Sequence, residues 1–240
     1  MPNRLVLWDI DGTLLEPAGF GWRLAGVAFR QLFGIDLAVD VPRAGRTDRA
    51  IYTDVLRLHD ISVSDRLDPF CAAIGALAEP ARDQLLRTGG HILPGAMASV
   101  RALVAEPAVA QSVLTGNLRA VGVAKLAAVD LLGLMDLSVA AFGDHHIDRA
   151  DLVEVASRAF AQKYDLAGDA FETVLIGDTP LDIAAARSTG AGVVAVATGH
   201  YSPADLSAAG ATVVLPDLTE PERVVEAVLG APATHEAGVR

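Results

Sequence analysis

The feature that most constrains this chain is a recurring one: short apolar runs that end on polar or glycine residues, at positions 5–8, 112–114, 139–142, 173–176, 193–197 and 212–215. Runs this short, with no polar alternation, suit strands covered on both faces. Between most of them lie helical patterns, at 96–105, 118–132, 150–164, 180–188 and 203–209. Strand alternating with helix predicts an α/β fold, a doubly wound, Rossmann-like parallel sheet whose ligand crevice lies beyond the carboxyl ends of its strands. Composition agrees: 52% of residues are hydrophobic but only 5% aromatic. Such a core is built from Ala, Val and Leu, which favours α/β over a sandwich.

The alternation breaks between about Leu15 and Gly90. Helical periodicity runs there over 22–33, 49–58 and 67–86 without a convincing strand. The expected organisation is a core of residues 1–15 and 91–229, an inserted all-helical segment of residues 16–90, and a frayed tail at 230–240. Gly89-Gly90 and Pro94-Gly95 punctuate the return to the core near His91.

Nineteen basic against thirty acidic residues give a net charge of −11, which repels a phosphate backbone and argues against nucleic acid as a partner. The single cysteine, Cys71, permits no internal disulfide, and no Cys and His cluster has zinc-ligand spacing. The N-terminus turns acidic at Asp9, leaving no signal-peptide core, and no run approaches the ~18 apolar residues needed to span a bilayer. The expectation is a cytoplasmic protein without a membrane partner.

Three strand ends carry the candidate chemistry. The first delivers Asp9-Ile10-Asp11-Gly12-Thr13, where two carboxylates repel each other unless a cation offsets them; an Asp-Gly turn is the plain alternative. The second delivers Thr115-Gly116-Asn117, a hydroxyl and glycine ahead of helix N-terminal amides that make an anion cradle. Asn117 as an N-cap explains it equally. The third reads Gly177-Asp178-Thr179-Pro180-Leu181-Asp182. Thr179 as N-cap, Pro180 at N1 and Asp182 as the reciprocal capping acid account for the helix start, but not for Asp178. Four carboxylates with no basic partner nearby in sequence point to a hard divalent cation, Mg²⁺ if a phosphate binds beside it.

Taken in order, with a helical insertion after the first, these motifs closely resemble those of haloacid-dehalogenase-superfamily hydrolases, in particular phosphoglycolate-phosphatase-like members with a helical cap. The resemblance spans nearly the whole chain. It implies a Mg²⁺-dependent phosphatase acting on a small phosphorylated metabolite through an aspartyl-phosphate. In that reading Asp9 is the nucleophile and Asp11 the general acid and base. Mg²⁺ is held by Asp9, the backbone carbonyl of Asp11 and Asp178, with Asp182 ligating through water or orienting the others. Thr115 and the Gly116 amide bind phosphoryl oxygens, with Asn117 beside them.

The departure from the pattern concerns a lysine that such enzymes carry just before the helix preceding the third motif. Arg149 matches that place in order and Lys125 matches in residue type. Lys125 lies eight residues beyond Asn117, about 12 Å down a helix. A surface arginine and a helix-face lysine are the bland accounts of the two, and Lys163 is expected to be solvated. In the insertion, Gly45-Arg46-Thr47-Asp48-Arg49 reads either as a helix cap or as a turn that brings Arg46 and Thr47 to the substrate. Trp22, Phe29 and Phe33 look like insertion core, and His145 and His146 like a solvated loop. Within the family, Asp11 and Asp178 argue against true dehalogenation, and an insertion without lysine closes the Schiff-base route. A sugar-phosphate mutase and a non-catalytic phosphate-binding protein remain as alternatives.

Overall fold

The first strand, β1 (Arg4–Trp8), shows why its apolar run is unbroken: Val6 and Trp8 enter one core and Leu5 and Leu7 another, and all four have no exposed surface. Both faces are covered, so neither tolerates a polar residue. The computed structural model describes residues 1–144, 146–167 and 170–231. After β1 come β2 (Leu15–Glu16), α1 (Phe20–Phe33), α2 (Asp48–Leu58), α3 (Val63–Ala81), α4 (Gln84–Arg87), β3 (His91–Ile92) and α5 (Ala96–Val104). Then follow β4 (Val109–Thr115), α6 (Arg119–Ala128), β5 (Ala141–Phe142), α7 (Arg149–Tyr164), β6 (Glu172–Gly177) and α8 (Pro180–Thr189). The chain closes with β7 (Gly192–Val196), α9 (Pro203–Ala208), β8 (Val213–Leu215) and α10 (Pro221–Gly230).

Six strands form one sheet in the order β5-β4-β1-β6-β7-β8, every pair parallel. Chain order reverses between β1 and β6, so the crevice of a doubly wound sheet opens at their carboxyl ends. The six expected strands are all present. The predicted single periodicity over 67–86 resolves into α3 and α4; Pro80 has no N–H to continue the ladder, and α3 ends one residue later. Helix α10 lay outside the sequence expectation. It packs Val224 and Val228 into the core, and Ala231 beyond it is 4% exposed. The expected tail therefore does not begin at residue 230, and residues 232–240 lie outside the described residues.

Residues 20–87 hold the four helices of the insertion and bury their own cluster, including Phe20, Phe29, Tyr52, Val55, Phe70 and Ile74. Phe29 packs tilted against Phe33 and edge-on to Phe70, as expected of insertion core. Leu118, Val121 and Ala124 of α6 join the same cluster. The insertion is thus seated on the helix that follows the second motif. The antiparallel pair Leu15↔Ile92 and Glu16↔His91 ties together the two chain crossings between insertion and core. Each fully buried Phe contributes about 1.5–3 kcal/mol. Phe70→Ala would lose about 3–5 kcal/mol through the cavity it leaves. Among the described residues, no helix is long and apolar enough to cross a membrane.

Candidate active site

Three strand ends meet in one cavity of about 450 Å³, with Asp9, Asp11, Thr115 and Asp178 in its wall. The Asp9 amide donates to the Ile176 carbonyl at 2.8 Å, which keeps β1 in register with β6 to its last residue. Trp22, Arg43 and Tyr52 of the insertion close the other side. Trp22 packs against the insertion core, as expected, and also faces this cavity, with the Arg43 guanidinium 4.5 Å over its ring.

Asp9, Asp178 and Asp182 are all buried, and each offers a carboxylate oxygen within 4.8 Å of the others. Thr13 donates to Asp178 at 3.0 Å. A Cβ at Gly12, where φ is +81°, would sit 2.5 Å from the Asp178 carboxylate, and one at Gly199 1.8 Å from it. Only glycine lets the backbone wrap that carboxylate so closely. Desolvation, then repulsion from Asp9 and Asp182, pushes Asp178 up to about 8. Asp9 is pushed up to about 6 by desolvation, which Arg149 opposes. Buried negative charge of this kind, on hard oxygen donors, fits a divalent cation.

The carboxylates, which have no basic partner nearby in sequence, have two in space: Arg149 at Asp9 and Asp182, and Lys125 at Asp11. Arg149, 6% exposed, places Nη2 3.0 Å from Asp9 Oδ1 and 2.5 Å from Asp182 Oδ1. Its Nη1 donates to the Gly45 carbonyl at 3.1 Å. Burial works against its charge, but Asp182 and Asp9 outweigh this and raise its pKa. Among the described residues its Nε has no partner. Asp148 caps α7 by accepting from the Ala150 amide, which puts Arg149 at the first helical position under the sheet's end. The remaining Asp182 oxygen accepts from the Thr179 amide at 3.1 Å and hydroxyl at 2.6 Å. Thr179, Pro180 and Asp182 thus form the expected capping box.

Lys125 is not a helix-face residue: it is 2% exposed, and its Nζ lies 2.8 and 2.5 Å from the Asp11 oxygens and 2.6 Å from Asn117 Oδ1. The distance counted from Asn117 misled because α6 begins only at Arg119, with Leu118 as its N-cap. A helical lysine also leans toward the N-terminus. Asn117, freed from capping, donates through Nδ2 to Thr115 Oγ1 at 2.8 Å and Asp11 Oδ2 at 3.2 Å.

The first α6 amides are not open to an anion as expected. Leu118 N–H donates to Asp48 Oδ2 at 2.8 Å and Arg119 N–H to Asp144 Oδ1 at 2.7 Å. Desolvation pushes the Asp48 carboxyl up to about 6. Gly116 is required because a Cβ there would meet the Arg46 carbonyl at 2.1 Å. Arg46 borders the cavity but turns back on the insertion, pairing with Asp54 at 2.7 Å and donating to the Pro42 carbonyl at 3.0 Å. Thr47 is the N-cap of α2, and its hydroxyl donates to the Ile147 carbonyl at 2.7 Å. His146 is exposed, 3.5 Å from Asp151, and His145 lies outside the described residues. Lys163 is not simply solvated, since it pairs with Asp136 and reaches Ser138 at 3.0 Å.

Sequence reasoning missed three contributors. Thr13 stood inside a quoted motif, and Asp48 inside another, so both were within reach of a closer reading. Thr198, whose hydroxyl holds the Gly12 carbonyl at 2.6 Å, carried no local signal.

A family model described as HAD-hydrolase-like matches residues 151–221. No curated protein matches the chain in sequence. Among solved structures, a hydrolase from Pseudomonas syringae is 20% identical, with a TM-score of 0.63 over 93% of this chain and 98% of that one. A Clostridium acetobutylicum protein described as a predicted phosphatase is 17% identical, with a TM-score of 0.64 over 94% of this chain and 100% of that one. A Bacteroides vulgatus protein provisionally described as a beta-phosphoglucomutase is 16% identical, with a TM-score of 0.64 over 95% and 89% of the two chains. The chain is therefore similar in sequence to the HAD-hydrolase-like family over residues 151–221, and it shares the fold of these solved structures over more than 90% of its length.

Proposed function

We propose that the protein is a Mg²⁺-dependent phosphatase that hydrolyses a small phosphomonoester through an aspartyl-phosphate on Asp9. The observation that carries this reading is the separation of two carboxylates two residues apart. Asp9, in the cavity wall, is 6% exposed and paired with Arg149, whereas the Asp11 side chain keeps 35% exposure beside Lys125. One is built to be held still and the other to exchange a proton.

In this mechanism a carboxylate oxygen of Asp9 attacks the phosphorus, and the bond to the leaving oxygen breaks. Asp11 gives that oxygen its proton. A water then loses a proton to Asp11 and attacks the phosphorus of the acyl phosphate, releasing inorganic phosphate and restoring Asp9. Arg149 supplies fixed positive charge beside the transferred group, and Thr115 Oγ1 and the Gly116 amide bind its oxygens. Asp9, the Asp11 carbonyl and Asp178 would hold Mg²⁺, which would supply charge neutralisation for the transfer. Asp182, with one oxygen on Thr179 and the other on Arg149, orients rather than ligates. The insertion, residues 16–90, serves as a cap domain whose Trp22, Arg43 and Tyr52 face the leaving group.

A panel of small phosphomonoesters, assayed for phosphate release, tests the reading. The expected result is turnover that EDTA removes and Mg²⁺ restores, with Ca²⁺ inhibiting by loosening the in-line geometry. No turnover across the panel, or full activity in EDTA, would overturn it.

A further inference from the structure

The mechanism leaves one part-buried contact unused: Asp48, the first residue of α2, which reaches out of the cap into the core. Its amide donates to the Gly116 carbonyl at 2.7 Å, and its carboxylate accepts from the Leu118 amide at 2.8 Å. Those two core groups are the peptide units on either side of Asn117. Asn117 in turn holds Lys125 at 2.6 Å and Asp11 at 3.2 Å. The same cap turn makes two more bonds to the core, Thr47 Oγ1 to the Ile147 carbonyl at 2.7 Å and the Gly45 carbonyl to Arg149 Nη1 at 3.1 Å. Of the four, only the bond to Leu118 uses a charged cap group, and a charged acceptor on a helix N-terminal amide is among the stronger protein hydrogen bonds.

We propose that Asp48 is a positioning residue: by clamping the backbone on both sides of Asn117 when the cap is seated, it makes the setting of the Asp11 and Lys125 pair depend on cap closure. The inference rests on the phosphatase reading for its kinetic consequence, but not for the contact itself. A free phosphoryl acceptor such as water then meets a correctly set Asp11 only under a closed cap. The rival account is that Asp48 merely caps α6. Asp144 separates the two, because it accepts from the next α6 amide, Arg119, at 2.7 Å and belongs to the core's own loop.

The test compares Asp48→Ala, Asp48→Asn and Asp144→Ala by kinetics with a phosphomonoester that the wild type turns over, and by amide hydrogen exchange. The expected result is about tenfold or greater loss of kcat in Asp48→Ala, the size of one lost charge-assisted hydrogen bond. Exchange should be faster both in the cap turn at residues 43–50 and at 117–119. Asp48→Asn keeps the acceptor oxygen and should stay within about threefold of wild type. Asp144→Ala should speed exchange at the α6 start but leave kcat and the cap turn unchanged. Equal behaviour of Asp48→Ala and Asp144→Ala, unchanged exchange in the cap turn, or an Asn variant as impaired as the Ala variant overturns the proposal. Should Asp48→Ala fail to fold, Asp48→Ser, one bond too short to reach Leu118, carries the same comparison. Exchange reads the contact even if no phosphoester is hydrolysed, so failure of the phosphatase reading shows as an inactive wild type and failure of this one as unchanged exchange.

Discussion

The site contains two ion pairs that look alike in charge and differ in everything else. Around Asp9, the Arg149, Asp9 and Asp182 side chains are 6%, 6% and 2% exposed, and one guanidinium nitrogen serves two carboxylates while another reaches the insertion. Around Asp11, a buried ammonium and an amide hold a carboxylate whose side chain is 35% exposed. A rigid fork suits fixed groups and a compact point charge suits one that changes protonation. The difference teaches that burial is concentrated on Asp9, the proposed nucleophile, while Asp11, the proposed proton carrier, keeps more of its surface open to the cavity that both line. Among the described residues Arg149 Nε has no partner, while its other two nitrogens carry all of its contacts to Asp9, Asp182 and the Gly45 carbonyl.

The sharpest way to break this comparison is at its centre. Asp9→Asn, nearly isosteric, should lower turnover by about 10⁴-fold or more, as removal of a covalent nucleophile does, with an unchanged circular dichroism spectrum. A rate within tenfold of wild type would end the assignment. Next come the cations. Arg149→Ala and Lys125→Ala should each cost about 10²-fold or more in turnover, as loss of a preorganised electrostatic group does. Their stabilities should part: Arg149→Ala strands two buried carboxylates and should lose about 3–5 kcal/mol in urea unfolding. Lys125→Ala leaves a carboxylate that water reaches and should lose about 1–2 kcal/mol. Equal losses would mean the two pairs are not different in kind. Arg149→Lys should fall between, about tenfold slow, since an ammonium cannot span Asp9, Asp182 and the Gly45 carbonyl together.

The smallest effect is on stability against pH. A carboxylate whose folded pKa lies above its unfolded value adds stability at low pH, and this is lost as pH rises through the folded value. Asp178, moved from 3.8 to about 8, should therefore make the metal-free protein less stable across that interval. Asp178→Asn should remove that slope and, at about pH 8, be more stable than metal-free wild type by on the order of 1–2 kcal/mol. Mg²⁺ should raise the melting temperature of the wild type and not of this variant. Identical pH slopes in the two proteins would show that Asp178 carries no uncompensated charge.

The sheet was legible because burial on both faces leaves an unbroken apolar run with a polar end, and Asp9, Thr115 and Asp178 each stand at such an end. The capping box at Thr179 and Asp182 was legible for a local reason, since all its atoms lie within four residues. What joins different elements was not. The sequence offers Arg149 and Lys125 only as alternatives, because spacing cannot show that two helices flanking different strands deliver one cation to Asp9 and another to Asp11. Asn117 was ambiguous until the helix start at Arg119 removed it from capping. Asp48 meets Leu118 across 70 positions, a contact with no signature in either segment.

The central claim is that Asp9 carries the phosphoryl group, and acid-quenched turnover followed by peptide mass analysis tests it directly. The account predicts one added phosphoryl group on the peptide containing Asp9 in wild type, absent from Asp9→Asn. A phosphoryl group on any other side chain, or steady turnover with none trapped on Asp9, would contradict it.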